Sequence, residues 1–277
     1  IKDAFKEASV TDMKVTLKIK TDVSSPEAFK IRVIAANEIE VTGTDVNGAM
    51  YGGVEIAEFL KLGLDIKDQN RKPLVQKRGL KLNLPMDCRS PSYSDRGDAA
   101  QQNIENVWDL DFWKEYIDDM ARYRYNTISL WTTHPYPNIV KVPGYENVAM
   151  EDVFRVHEAH LNMDLDSKLI EDLDIDGDGN VEEFEGGKKN ELIQLVKRMT
   201  IDEKIAHWQE VFQYAADRGV EVFLFHWEVY ANGAIGKYGI TEDQTNPELV
   251  AYVRASVKQA LLTYPNLKGI GVTSGEH

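Results

Sequence analysis

The chain has 277 residues, 43% hydrophobic and 28% charged, which is ordinary for a globular protein of one or two domains. Its net charge of −14 argues against nucleic acid and anionic membranes as partners, and no apolar run reaches the roughly 18 residues that a membrane span needs. A single cysteine, Cys88, excludes any disulfide within the chain.

The first segment reads as a small α/β unit. "MKVTLKIK", "AFKIRVIAA" and "NEIEVTGTD" alternate polar and apolar residues with the strand period. "VNGAMYGGVEIAEFLKLG" follows as a helix, with Val46, Met50, Val54, Ala57, Phe59 and Leu60 near helical spacing and Gly63 as its stop. The polar stretch Asp65–Pro73 is the expected linker, which sets a first domain at residues 1–72.

From residue 73 to 277 the rhythm changes to strands alternating with helices. "RGLKLNLP" is a strand. "DLDFWKEYIDDMARYR" is a helix, capped by Asp109 or Asp111 and predicted to bury Phe112, Tyr116, Met120 and Tyr123. "YNTISLW" is a second strand. After a long interruption comes a helix with Thr200 as cap, Glu203 three residues on and Gly219 at its end. "VEVFLFHW" is a nearly continuous apolar strand, as expected for one buried on both faces. "NPELVAYVRASVKQALLTYP" is a helix with Asn246 before Pro247, and "LKGIGVT" is the fourth strand. This alternation predicts a parallel sheet, closed either as a doubly wound open sheet or as an eight-stranded barrel of which four strands are present. No Gly-rich nucleotide fingerprint follows the first of these strands.

In parallel α/β folds, function sits at the C-terminal ends of the strands. Those ends are polar and aromatic here. Asn83, Asp87 and Arg89 follow the first strand, and Trp131 and His134 the second. His226, Trp227, Glu228, Tyr230 and Asn232 follow the third, and Glu276 the fourth. Indole faces suit the C–H faces of sugar rings, amides and cations suit hydroxyls, and carboxylates suit acid–base work, so the expected ligand is carbohydrate. His207 lies on a helix face and reads as structural. The six histidines show no metal-ligand spacing, so a catalytic zinc is not expected; no organic cofactor is expected either.

"RGLKLNLPMDCRSPSYSD", "FWKEYIDDMARYRYNTISLW" and "YPNLKGIGVTSGE" resemble a bacterial group of glycoside hydrolases related to the α-glucuronidases. The leading segment resembles the small α/β domain that precedes the barrel in α-glucuronidases and β-hexosaminidases. The resemblance implies a (β/α)8 TIM barrel, of which this sequence would hold the first half. It implies Glu276 as general acid, a catalytic base on later strands, and an inverting reaction on an oligosaccharide. Where the related sequences carry Asn after that Glu, this chain has His277.

One further motif interrupts the barrel pattern at about 150–198. "DIDGDGNVEEFE" fills every position of an EF-hand calcium loop: Asp174, Asp176, Asp178, the carbonyl of Asn180, Glu182 and bidentate Glu185, with Gly179 at the turn. "DSKLIEDL" is the incoming helix, and the outgoing one, broken by Gly186 and Gly187, resumes at "KNELIQLVKR". Calcium sensors pair such loops. A solitary loop in an insertion after the second strand is therefore expected to be a structural Ca²⁺ clip. The alternative reading is a non-catalytic, calcium-dependent carbohydrate-binding or adhesion module. A calcium-responsive interaction protein would need a second loop. The weak extracellular class of calcium site would suit a secreted or periplasmic protein.

Overall fold

The computed structural model describes residues 2–8, 12–22, 24–87, 98–156, 193–227, 231 and 233–273. It divides into two compact units, Ile1–Arg78 with Asp118–Asn126, and Gly79–Ile117 with Thr127–His277.

The first unit opens with a short helix, α1 (Lys2–Glu7), and is built on a four-stranded sheet. β1 (Lys14–Ile19), β2 (Phe29–Ala35) and β3 (Glu38–Gly43) form as their alternation predicts. The expected linker contributes β4 (Gln69–Arg71), so the sheet order is β1-β3-β2-β4. β3 pairs parallel with β1 and antiparallel with β2, and β4 adds to β2 antiparallel. One face is covered by α2 (Val46–Lys61), whose cap Asp45 accepts the Gly48 N–H through one carboxylate oxygen (2.7 Å) and the Glu27 N–H through the other (2.7 Å).

The helix does not bury the stripe its large residues outline. Val46 is 68% exposed, and Met50 and Leu60 are only partly buried. The face on the sheet is instead Gly48, Ala49, Tyr51, Gly52, Gly53 and Ile56. A Cβ at Gly52 would stand 2.3 Å from Val41 Cγ1, so this close helix–sheet approach requires glycine. The core is Phe29, Ile31, Ile39, Val41, Tyr51 and Ile56.

In the second unit β5 (Gly79–Asn83), β6 (Thr127–Trp131), β9 (Glu221–Trp227) and β10 (Leu267–Thr273) form one sheet in chain order. Every pairing is parallel. A doubly wound sheet reverses its strand order at a switch point. Here the order never reverses, which is the winding of a barrel. Along β9 the residues alternate between buried and half-buried, rather than being buried on both faces as expected. Val222, Leu224 and His226 are enclosed on one side, while Phe223, Phe225 and Trp227 lie on a more open inner side.

Helix α3 (Asp98–Val107), which the sequence pattern did not announce, precedes α4 (Leu110–Arg122). α4 starts where Asp109 accepts the Asp111 N–H (2.9 Å). Its buried residues are Trp113, Ile117, Met120 and Ala121, and the expected Tyr123 is 66% exposed. A short helix, α5 (Tyr136–Ile139), follows β6. α6 (Ile201–Asp217) carries the full Thr200–Glu203 capping box. α7 (Pro247–Thr263) is capped by Asn246, which accepts the Leu249 N–H (2.7 Å). Trp108, Trp113 and Trp208 meet edge to face at the core of this helical layer.

The described part of the segment read as a resumed helix after the calcium loop, from Ile193 on, is in fact a strand. β8 (Ile193–Lys197) pairs antiparallel with β7 (Val153–Val156), and the ribbon brackets the insertion. Its Ile-Gln-Leu-Val core alternates and pairs side by side, which outweighs a helical pattern interrupted by two glycines. The calcium loop, Asp174 to Glu185, lies outside the described residues.

Candidate functional site

The four parallel strands bring their C-terminal ends to one edge, and their register decides which side chains share a face. Asn83 is level with Trp131, Trp131 with Phe225, and Phe225 with Gly271. One step further out, Trp227 is level with Thr273; one step further in, Lys81 is level with Ser129. Paired residues of a parallel sheet point to the same side. The inner face at the rim is therefore an amide, two indoles, a phenyl ring, an ammonium and two hydroxyls.

Trp131 is the centre of this face. Phe225 stacks on it with ring centroids 4.4 Å apart and planes within 3°. Lys81 Nζ stands 4.3 Å from the indole centroid, a cation–π contact. β5 and β9 flank β6, so the indole lies between the ammonium and the phenyl ring. A sugar ring stacking face-on on Trp131 has to displace Lys81. Gly271 makes room for this arrangement: a Cβ there would fall 2.1 Å from Phe225 Cε1. The strand ends are stitched beyond the regular ladder by Leu84 N–H to Trp131 O (2.7 Å), Thr132 N–H to Phe225 O (3.1 Å) and Trp227 N–H to Thr133 O (3.2 Å).

The two rim histidines lie on the other side of the sheet. His134 is fully buried, and its Nε2 is 3.1 Å from the Tyr252 hydroxyl. His226 is 2% exposed, with Nδ1 3.1 Å from the Trp227 carbonyl. Tyr136 contacts both imidazoles edge-on, and Tyr145 joins Tyr252 to Tyr238. Burial, with His226 nearby, pushes the His134 pKa down to about 3, and burial also lowers that of His226. Both are therefore neutral near pH 7, and burial raises the phenol pKa values of Tyr136 and Tyr252. The pair forms a buried aromatic support beneath the rim.

Asp87 is also buried, one residue after Met86, whose carbonyl accepts the Trp108 indole N–H (2.7 Å). Of the residues singled out in the sequence, Asn83, Trp131 and Trp227 share the inner face, whereas His134, His226 and Asp87 are enclosed. Arg89, Glu228, Asn232 and Glu276 lie outside the described residues. Lys81, Phe225, Gly271 and Thr273 were not singled out. Counting back by two from Asn83 and from Trp227 would have found the first two of them. Among the described residues no group of three or more His, Cys, Asp or Glu is placed to hold a metal ion, and no helix is long and apolar enough to cross a membrane.

No protein family's sequence profile matches this chain, and no curated protein matches it. Solved structures do. A GH138 enzyme targeting pectin rhamnogalacturonan II is similar over 99% of this chain, at TM-score 0.66 and 20% identity, and 28% of its own length is covered. The GH20 β-N-acetylhexosaminidase from Streptomyces coelicolor A3(2) is similar over 93% of this chain (TM-score 0.54, 14% identity, 47% of its own length). The β-N-acetylhexosaminidase from Bacteroides fragilis NCTC 9343 is similar over 91% (TM-score 0.52, 15% identity, 43% of its own length). The chain thus has a fold found in solved glycoside hydrolases, and it spans less than half the length of each of these three.

Proposed function

We propose that this chain is part of a glycoside hydrolase and supplies the leading α/β unit and the first four strands of its (β/α)8 barrel. The observation that carries the reading is the sheet itself: four parallel strands in unreversed chain order, with an amide and indoles on the inner face at their C-terminal ends. That is the edge at which barrel enzymes place their chemistry. The fold's occurrence in solved glycoside hydrolases supports it.

In this reading Glu276, three residues past the end of β10, is the general acid, as the resemblance of "GIGVTSGE" to the α-glucuronidase group implies. It protonates the glycosidic oxygen as the bond breaks, and a pocket raises its pKa enough to keep the proton near neutral pH. A second carboxylate, on strands that follow these four, activates water across the ring at about 6.5–9.5 Å in an inverting enzyme. Asn83 and Trp227 bind the sugar on the inner face. The substrate is an oligosaccharide from a plant or host polysaccharide, with an α-linked glucuronic acid as the first candidate.

The test is Glu276→Gln in the full-length enzyme. Turnover on a glucuronic-acid-decorated xylan oligosaccharide is expected to fall by about 10²–10⁴-fold. An aryl glycoside, whose leaving group needs no proton, is expected to lose much less. Unchanged turnover of the natural oligosaccharide would overturn the assignment.

A further inference from the structure

Charge is spread unevenly along the chain. Residues 1–78 carry thirteen lysines and arginines against twelve carboxylates, so the whole acidic excess belongs to residues 79–277. Within the first unit the basic groups gather on the sheet face turned away from α2. There the register sets Lys14 beside Glu38, Lys18 beside Thr42, Lys30 beside Thr42 and Asn70, and Arg32 beside Glu40. Over most of this face each cation has a carboxylate partner: Lys14 with Glu38, Lys18 with Glu40 and Arg32 with Asp68.

At one end the pattern breaks. A groove of about 570 Å³ opens there, lined in part by Lys20, Lys30, Lys72, Thr42, Asn70 and Phe29. The three lysines are exposed, and none has a carboxylate within ion-pair distance among the described residues. The lining holds one carboxylate, Asp22, which these three lysines outnumber. Its Oδ1 accepts both the Ser24 N–H (3.0 Å) and the Ser24 hydroxyl (2.6 Å). Three unpartnered ammonium groups around one groove, on a face that otherwise neutralises its cations, form a site for an anion.

We infer that this groove binds an acidic oligosaccharide. Lys20, Lys30 and Lys72 take the uronate carboxylates. Thr42 and Asn70 bond ring hydroxyls. The inference rests on the carbohydrate reading above and adds a second point of attachment, within the first unit. A nucleic acid fits less well. Three cations neutralise few phosphates, the lining holds no tyrosine or tryptophan on which a base could stack, and the rest of the chain is acidic.

The experiment is calorimetric titration of the 277-residue chain with tetragalacturonate, and with neutral xylotetraose for comparison. Tetragalacturonate is expected to bind, and more weakly at about 0.5 M than at about 0.05 M salt. Changing Lys20, Lys30 and Lys72 together to Ala is expected to lower that affinity about tenfold or more without moving the melting temperature, because exposed charge contacts are individually weak but add up. Changing the partnered Lys14 and Lys18 to Ala is expected to change it little. No binding by the wild-type chain, or equal binding by the triple variant, would overturn the proposal. So would equal affinity for a single-stranded oligonucleotide of the same charge. Its fate is separate from that of the enzyme assignment. Loss of groove binding with an intact Glu276 effect removes the groove alone. A full-length enzyme that hydrolyses nothing, while the groove still discriminates the two tetrasaccharides, removes only the catalytic reading.

Discussion

His134, His207 and His226 are all buried or partly buried, and burial is the leading cause that lowers each of their pKa values, to about 3 for His134 and about 4 for His207. Unfolding returns each to its ordinary value near 6.5. The folded state therefore holds fewer protons than the unfolded chain below about pH 6.5, and stability is present above that value and lost as pH falls toward the folded pKa values. Melting temperature is expected to drop steadily from about pH 6.5 to about pH 4. A His134→Asn variant should show a shallower drop, by up to about 1.4 kcal/mol per pH unit for the proton it no longer takes up. Thermal melts across that range check this; parallel slopes in the two proteins would contradict it. In the sequence these histidines read as sugar ligands or as an unremarkable helix residue. Strand parity separates them from Trp131 and Trp227, because His226 is one residue out of phase with the inner face.

At the scale of elements, local signals were reliable where the chemistry is local. The Thr200–Glu203 capping box and the Asn246 cap involve residues three apart, and both form as the sequence pattern says. Helix faces were less legible, because the partner surface chooses the stripe. α4 buries Trp113, Ile117, Met120 and Ala121, spaced for one face, whereas Phe112 and Tyr123 are more exposed. Trp113→Ala is accordingly expected to cost about 3–5 kcal/mol and Phe112→Ala about 1 kcal/mol. Urea midpoints of the two variants decide the point, and equal losses would refute the face assignment. α2 makes the same case in reverse. Its bulky residues outlined one stripe, and its glycines allowed the sheet to meet another.

For the whole molecule, the calcium loop is read from sequence alone, and the role proposed for Glu276 rests on the resemblance of its sequence. We propose that the solitary loop at Asp174–Glu185 is a structural clip in a secreted or periplasmic enzyme. Six carboxylates in twelve positions, five of them at ligand positions, repel one another without a cation, so calcium should stabilise the fold. At about a hundredfold excess over Kd the gain is about 2.7 kcal/mol, or about 5–10 °C in melting temperature, and chelator should reverse it. A melting curve indifferent to calcium and chelator would dismiss the clip.

What the sequence determined by itself is what depends on neighbours within a few residues: strand and helix periods, caps, the order of elements and the ligand spacing of the calcium loop. The tertiary structure decided the rest. It chose a sheet that never reverses its order over a doubly wound one, turned the expected linker into β4 and the expected helix near 193 into β8. It set Lys81 and Phe225 on either side of Trp131, and left Lys20, Lys30 and Lys72 around one groove. These arrangements join residues tens to more than a hundred positions apart. Their free energy comes from burial and register between elements, which no local pattern encodes.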